Sequence, residues 1–319
     1  MNDTILVTGA TGFIGQALCR ALQAEGRPVR AVVRRAIAQA PDAAIVGEIG
    51  PDTHWTAALQ GVHCIVHCAA RVHVMRDHAS DPLDAFRQVN VLGTLNLARQ
   101  AAAADVRRFV FISSIKVNGE ATLHGRPFTA ADVPAPQDAY GLSKHEAELG
   151  LREIAARTGM EVVIVRPPLV YGPGVRANFA ALIKWLKRGV PLPLGAIRDN
   201  RRSLVALDNL VHLLIICTRH PRAANQTFLV SDGEDLSTAD LLVRLGQALR
   251  RPARLLPVPV SWLQIGARLV GRPEVAQRLV DNLQVDIGKT RELLDWSPRV
   301  SVDEGLHRTL FPANDGGLE

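Results

Sequence analysis

Ile5-Leu6-Val7-Thr8-Gly9-Ala10-Thr11-Gly12-Phe13-Ile14-Gly15 is the stretch that decides how this chain folds. Residues 5–8 are an apolar, partly β-branched run, the mark of a strand buried on both faces. Gln16-Ala17-Leu18-Cys19-Arg20-Ala21-Leu22 then places apolar residues at helical spacing. Glycines 9, 12 and 15 stand where strand turns into helix. Gly9 permits the tight turn, Gly12 lets the backbone approach a pyrophosphate, and Gly15 lets the helix pack closely on the strand. The free N–H groups of the first helical turn, at the positive end of its dipole, face the phosphates. Thr11, Phe13 and Ile14 share this turn and are candidate cofactor contacts with the three glycines. In its strand–turn–helix context the pattern is a dinucleotide-binding motif.

Outward from this stretch, strand and helix signals alternate. Strands are predicted at 5–8, 29–33, 43–46, 62–67, 109–113 and 162–165, and helices at 13–25, 54–60, 82–104 and 140–158. Alternation of this kind gives an α/β fold, a doubly wound parallel sheet with helices on both faces. Ligands then bind at the carboxyl ends of the strands, at the topological switch point. Beyond Pro167 the pattern changes, with prolines at 168, 173, 191 and 193. Helices are predicted near 178–188 and at 236–249 and 261–281, with short strands at 228–230 and 255–258. The expected organisation is a Rossmann domain over 1–167, joined by later segments at about 203–232. A smaller C-terminal substrate lobe would span mainly 168–313, with a disordered tail at 314–319.

Tyr140 and Lys144, in Ala139-Tyr140-Gly141-Leu142-Ser143-Lys144, are four residues apart and so lie on one helix face. A lysine ammonium held there favours the phenolate and would lower the tyrosine pKa, making Tyr140 a general acid/base. Read without its surroundings, the same pair could be an exposed helical surface.

Composition narrows the function classes. A hydrophobic content of 47% and a charged content of 21% fit an ordinary globular protein. No apolar run reaches the ~18–20 residues that span a membrane; the densest cluster is 210–217. Met1-Asn2-Asp3 leads directly into a strand, so no signal peptide and a cytoplasmic location are expected. Cys19, Cys64, Cys68 and Cys217 are scattered through apolar segments and read as reduced core thiols. In a strand, Cys64 and Cys68 would be ~13 Å apart, too far for one zinc ion, so no metal is expected. The net charge of +6 reads as an arginine excess spread along the chain. With aromatics at only 4% there is no basic stacking surface for nucleic acid. Anionic small molecules account for the field more simply.

With these motifs together, the chain resembles the extended short-chain dehydrogenase/reductase family, in its nucleotide-sugar branch. Thr8 to Gly15, His67-Cys68-Ala69-Ala70, Asn90-Val91-Leu92-Gly93-Thr94, Ser113 to Gly119, Tyr140 to Lys144, Arg166-Pro167 and Val170-Tyr171-Gly172-Pro173 carry the resemblance. It implies that Tyr140 exchanges a proton with the sugar O4 while hydride moves between C4 and a nicotinamide. Lys144 would lower its pKa and bind the nicotinamide ribose, and Ser114 would orient the same sugar oxygen. Cys68, Ala69, Ala70 and Pro167 would line the cofactor, Glu48 and Ile49 would flank the adenine, and Asn90 would orient backbone beside the site. Asn178 and Arg202 match positions that hold the nucleotide diphosphate, with Arg201 as an open alternative to Arg202. Lys116 could reach a phosphate or be a surface lysine.

Two departures qualify the resemblance. Where many members carry an acid for the NAD ribose, this chain has Arg34-Arg35, which suits a 2′-phosphate. The cofactor expectation is therefore NADP or NAD, with NADP favoured. Leu169 stands where many sugar-nucleotide relatives have Asn. The expected activity is oxidoreduction at C4 of a UDP-hexose or UDP-N-acetylhexosamine, as a 4-keto-sugar reductase or as a 4-epimerase with tightly bound NAD. Reduction is slightly preferred on the arginines. A non-catalytic dinucleotide sensor and a reductase of hydrophobic ketones or steroids are the alternatives from other classes. The resemblance also implies a homodimer packed through 82–104 and 140–158. The partners expected are a nucleotide sugar and no nucleic acid or membrane.

Overall fold

Alternate residues along the central strands enter two different apolar clusters, which is why the chain builds a sheet covered on both faces. Ile5 and Val7, Cys64 and Val66, Val110 and Ile112, and Val163 and Val165 all enter one apolar cluster. Leu6, Ile65, Phe109, Phe111, Val162 and Ile164 enter a second cluster on the opposite face. A strand apolar at every position needs cover on both sides, and helices supply it.

The computed structural model describes residues 3–36, 43–72, 81–271 and 273–312, with Ala177 and Asn178 described by backbone alone. The expected disordered tail lies outside the described residues. The first half contains β1 (Thr4–Thr8), α1 (Phe13–Ala24), β2 (Val29–Val33), β3 (Ala44–Ile45), α2 (Thr56–Leu59) and β4 (Val62–His67). Next come α3 (Pro82–Phe86), a π-helical segment (Arg87–Gly93), α4 (Thr94–Ala103), β5 (Arg108–Ile112), α5 (Ala139–Thr158) and β6 (Glu161–Arg166). The remainder contains β7 (Leu169–Tyr171), α6 (Ala177–Arg188), β8 (Arg202–Ala206), α7 (Leu207–Arg219), β9 (Thr227–Leu229) and β10 (Asp235–Leu236). It closes with α8 (Thr238–Ala248), α9 (Val260–Leu269), α10 (Pro273–Val280), α11 (Gly288–Leu294) and α12 (Val302–Leu310).

Seven strands form one sheet in the order β3-β2-β1-β4-β5-β6-β9, and every pairing in it is parallel. Chain order reverses between β1 and β4, which puts the switch point at their carboxyl ends. Residues of α1 and α7 cover one face, and residues of α2, α4 and α5 cover the other. A second sheet, β10-β8-β7, packs with α6, α8 and α12 into a separate core around Tyr171, Phe179 and Leu306.

Four readings of the sequence are corrected. The helix expected over 82–104 contains seven π-helical residues, 87–93. The helix expected over 261–281 is two helices, parted at Gly271 with φ +69°, a conformation that glycine adopts without cost. Residues 255–258 form no strand. Leu255 makes one isolated bridge with Leu192, and Pro252, Pro257 and Pro259 remove the donors a ladder needs. The strands β7, β8 and β10 are not among those the sequence predicts; they build a second sheet apart from the parallel one.

Candidate active site

The glycine turn is set by sterics. Gly9 has φ +63° and its carbonyl accepts from Gly12 N at 2.8 Å. A Cβ on Gly9 would meet Ala69 N at 2.8 Å, and one on Gly15 would fall 2.2 Å from Gly9 O. The three glycines thus let β1, the first turn of α1 and the loop after β4 close on one point. Thr11 and Gly12 remain exposed there, while Phe13 and Ile14 turn towards the core. This is a cradle of bare backbone at a helix N-terminus, and it fits a dinucleotide pyrophosphate.

Buried hydrogen bonds fix the neighbouring loop. Ala69 N donates to Thr8 Oγ1 at 3.2 Å, and Thr8 Oγ1 lies 2.7 Å from His67 Nδ1. His67 Nε2 reaches Thr94 Oγ1 at 3.0 Å. Burial first, and then the charge of Lys144, push this imidazole down to about 3, so it is a neutral bridge between β1, β4 and α4. Asn90, 1% exposed, accepts from Arg71 N at 2.8 Å. Its Nδ2 donates to Arg71 O and to Ser143 Oγ, each at 3.0 Å. One asparagine on the π-helical segment therefore ties the chain beyond Ala70 to α5. Gly93 lets the same segment lie against Ile49; a Cβ there would stand 2.8 Å from Ile49 Cγ2. Cys68 and Ala70 flank Ala69, all three partly buried. Arg34 and Arg35 are exposed at the end of β2, and Arg34 Nη1 pairs with Glu48 Oε1 at 3.3 Å.

Asp138 starts α5 by accepting from Gly141 N at 2.7 Å. Tyr140 is thereby set in the first turn, its ring edge-on to Phe86 at 6.0 Å. Lys144 is 2% exposed; its Nζ donates to Ile112 O at 2.7 Å and lies 4.3 Å from the Phe111 ring centre. Burial drives its ammonium down to about 7, partly offset by Glu148 and Cys68. Burial, then Asp138, push the Tyr140 phenol up. The expected lowering of Tyr140 is thus not what this arrangement gives, because burial and the nearby Asp138 both favour the neutral phenol.

Ser114 ends the strand-to-helix turn, with Oγ accepting from Lys116 N at 3.2 Å. Its neighbour Ser113 turns the other way and donates to Glu148 Oε1 at 2.5 Å. Glu148 is held in turn by Arg166, and Arg166 Nη1 donates to Asn118 Oδ1 at 2.8 Å. The Lys116 ammonium is paired with Asp138 and, at 3.0 Å, with Glu120.

Ser114, Tyr140 and Pro167 border a cavity of about 510 Å³, as does Leu169. Arg176, Arg202 and Arg278 line the same cavity. Burial lowers Arg202, with Arg278 adding to the effect against Asp281. Arg201 points elsewhere, donating to Arg198 O and Asn200 O. Asn178 lies on α6, and its side chain is outside the described residues. Sequence reasoning missed Arg176 and Arg278. Neither sits in a motif, and only the folding of α6 and α10 over the sheet brings them to this cavity. Among the described residues, no cluster of His, Cys, Asp and Glu could hold a metal ion.

The model of the NAD dependent epimerase/dehydratase family matches residues 5–231. The UDP-glucose 4-epimerase of Vibrio cholerae is 48% identical over 311 residues, covering 97% of this chain and 95% of that one. The N-acetyl-alpha-D-glucosaminyl-diphospho-ditrans,octacis-undecaprenol 4-epimerase of Escherichia coli O157:H7 is 28% identical over 324 residues, covering 97% and 95%. The structure of UDP-N-acetylglucosamine 4-epimerase from Bacillus cereus superposes with a TM-score of 0.79 at 20% identity, over 96% of this chain and 97% of that one.

Proposed function

The chain belongs to the NAD dependent epimerase/dehydratase family, and on that premise we propose that it is a 4-epimerase of a UDP-hexose or UDP-N-acetylhexosamine. The observation that carries this reading is that Ser114 and Tyr140 share one cavity with Arg176, Arg202 and Arg278. Hydroxyls suit a carbon that alternates between alcohol and ketone, and guanidinium forks suit a diphosphate. The relative named a UDP-glucose 4-epimerase, at 48% identity across nearly the whole chain, favours epimerisation over simple reduction.

A bound nicotinamide dinucleotide supplies the acceptor and donor of the C4 hydride. The glycine turn would hold its pyrophosphate, Ala69 and Ala70 would let it approach the backbone, and Glu48 and Ile49 would lie beside its adenine. Tyr140 takes the O4 proton as C4 is oxidised and returns it when the ketone is reduced from the opposite face. Ser114 Oγ hydrogen-bonds the same oxygen and orients it. Lys144, one turn along α5, would bind the nicotinamide ribose. The protonated phenol that burial favours is the form that donates to the ketone.

Arg34 and Arg35 favour a second reading, a 4-keto-sugar reductase using NADPH, since arginine there suits a 2′-phosphate. Glu48 already engages Arg34, which weakens that reading. Incubating the purified protein with UDP-glucose or UDP-N-acetylglucosamine, and following C4 epimers by NMR, separates the two. Epimer formed without net dinucleotide turnover supports the epimerase. Absence of epimer, with NADPH consumed on a 4-keto sugar, would replace it with the reductase.

A further inference from the structure

We propose that α9, the segment before it and the end of α6 form a docking face for the surface of an anionic lipid bilayer. No residue of α9 is buried. Trp262, Ile265, Leu269 and Val270 are 71%, 55%, 83% and 71% exposed. On a helix the first three fall on one stripe, and Leu256, 50% exposed, lies just upstream. Of the four tryptophans, Trp55 and Trp296 are buried, whereas Trp262 and Trp185 of α6 are exposed. An exposed apolar stripe of this kind on a helix marks a surface made to be covered.

Charge identifies the cover. The arginine excess reads as evenly spread along the sequence, but in space two stretches without a single acid meet here. Residues 162–198 and 241–273 together hold twelve of the 37 Lys and Arg and none of the 31 Asp and Glu, so the rest of the chain is net negative. Leu192 N donates to Arg254 O and Leu256 N to Leu192 O, both at 2.8 Å, and Arg251 donates to Lys187 O. Lys184, Lys187, Arg188, Arg250, Arg251, Arg254 and Arg268 are all exposed. An apolar stripe carrying tryptophan and bordered by cations suits the headgroup region of an anionic bilayer. A second copy fits poorly, because it would set arginines against arginines. No described helix is long and apolar enough to cross a membrane, so the contact is with the surface. Arg278 and Leu279 of α10, next in the chain after α9, border the candidate active-site cavity. A docked chain would therefore hold the cavity near the headgroups.

The inference is independent of the sugar chemistry proposed above. It is tested by flotation of the full chain with phosphatidylcholine vesicles, with and without phosphatidylglycerol. The expected result is recovery with phosphatidylglycerol vesicles only, reduced by added salt. The double variant Trp262→Ser and Leu269→Ser should lose that recovery with its melting temperature unchanged. Wild-type chain that stays with the soluble fraction, or a double variant that floats as well as wild type, overturns the proposal. So does light scattering that shows a wild-type oligomer dissolved by the double variant, which would make a second copy the cover.

Discussion

Lys144 lies one turn from Tyr140, yet its ammonium is bonded to Ile112 O and sits over Phe111. Its charge is costly where it is, and this makes stability depend on pH. The folded value is about 7, against 10.5 for the ordinary side chain. Between those values the unfolded chain binds more protons than the folded one, so this residue makes stability rise with pH. The penalty is full below about 7 and gone above 10.5. Lys144→Met has no such group. The wild-type melting temperature should therefore gain on that of Lys144→Met as pH increases from 7 to 10; a constant difference would refute the burial argument. Tyr140 carries the chemistry at the same scale. Tyr140→Phe should cut kcat by about 10²–10⁴-fold, the contribution of a positioned acid/base, with dinucleotide affinity nearly unchanged in a titration. Retained turnover would remove Tyr140 from the proton path.

Among the elements, the turn from β1 to α1 leaves the least room for change. A Cβ on Gly15 would lie 2.2 Å from Gly9 O, whereas one on Gly266 of α9 would meet nothing within 4 Å. The same substitution should therefore act in opposite directions. Gly15→Ala should cost about 1–3 kcal/mol through overpacking and weaken dinucleotide binding. Gly266→Ala should stabilise the fold by about 0.5–1 kcal/mol, as for alanine replacing glycine inside a helix. Denaturant titration of both variants gives the comparison, and equal midpoints would contradict it. This turn was legible in the sequence because Gly12 and Gly15 are constrained by Gly9 a few positions away; the close approach of Gly9 to Ala69 was not. The π-helical segment was not: apolar spacing over 82–104 reads as a regular helix. What sets the segment apart are the bonds of Asn90 to Arg71 and Ser143, and the contact of Gly93 with Ile49.

For the whole molecule, the meeting of two cores matters most. The segment after β5 and the first turn of α5 supply the hydroxyls of Ser114 and Tyr140, while β8, the residue before α6 and α10 supply Arg202, Arg176 and Arg278. If these arginines hold a diphosphate, Arg202→Ala should raise KM for the nucleotide sugar by about 10–100-fold, the effect of losing a charged hydrogen bond. kcat should change less. Arg201→Ala should leave both constants nearly as they were, since its guanidinium is bonded to backbone carbonyls outside the cavity. Steady-state kinetics of the pair decides it; equal effects would mean that Arg202 is not the diphosphate ligand.

The parallel sheet, its glycine turn and the Tyr140–Lys144 spacing could be read from the chain alone, because periodicity, backbone sterics and helical spacing are local. Tertiary structure alone decided which arginines face the cavity, that Lys116 is bound to Asp138 and Glu120, and that burial governs the protonation of Tyr140 and Lys144. It also decided that two basic stretches distant in the chain share one exposed face. Desolvation and charge pairing depend on neighbours brought from far along the chain, and no short-range pattern encodes them.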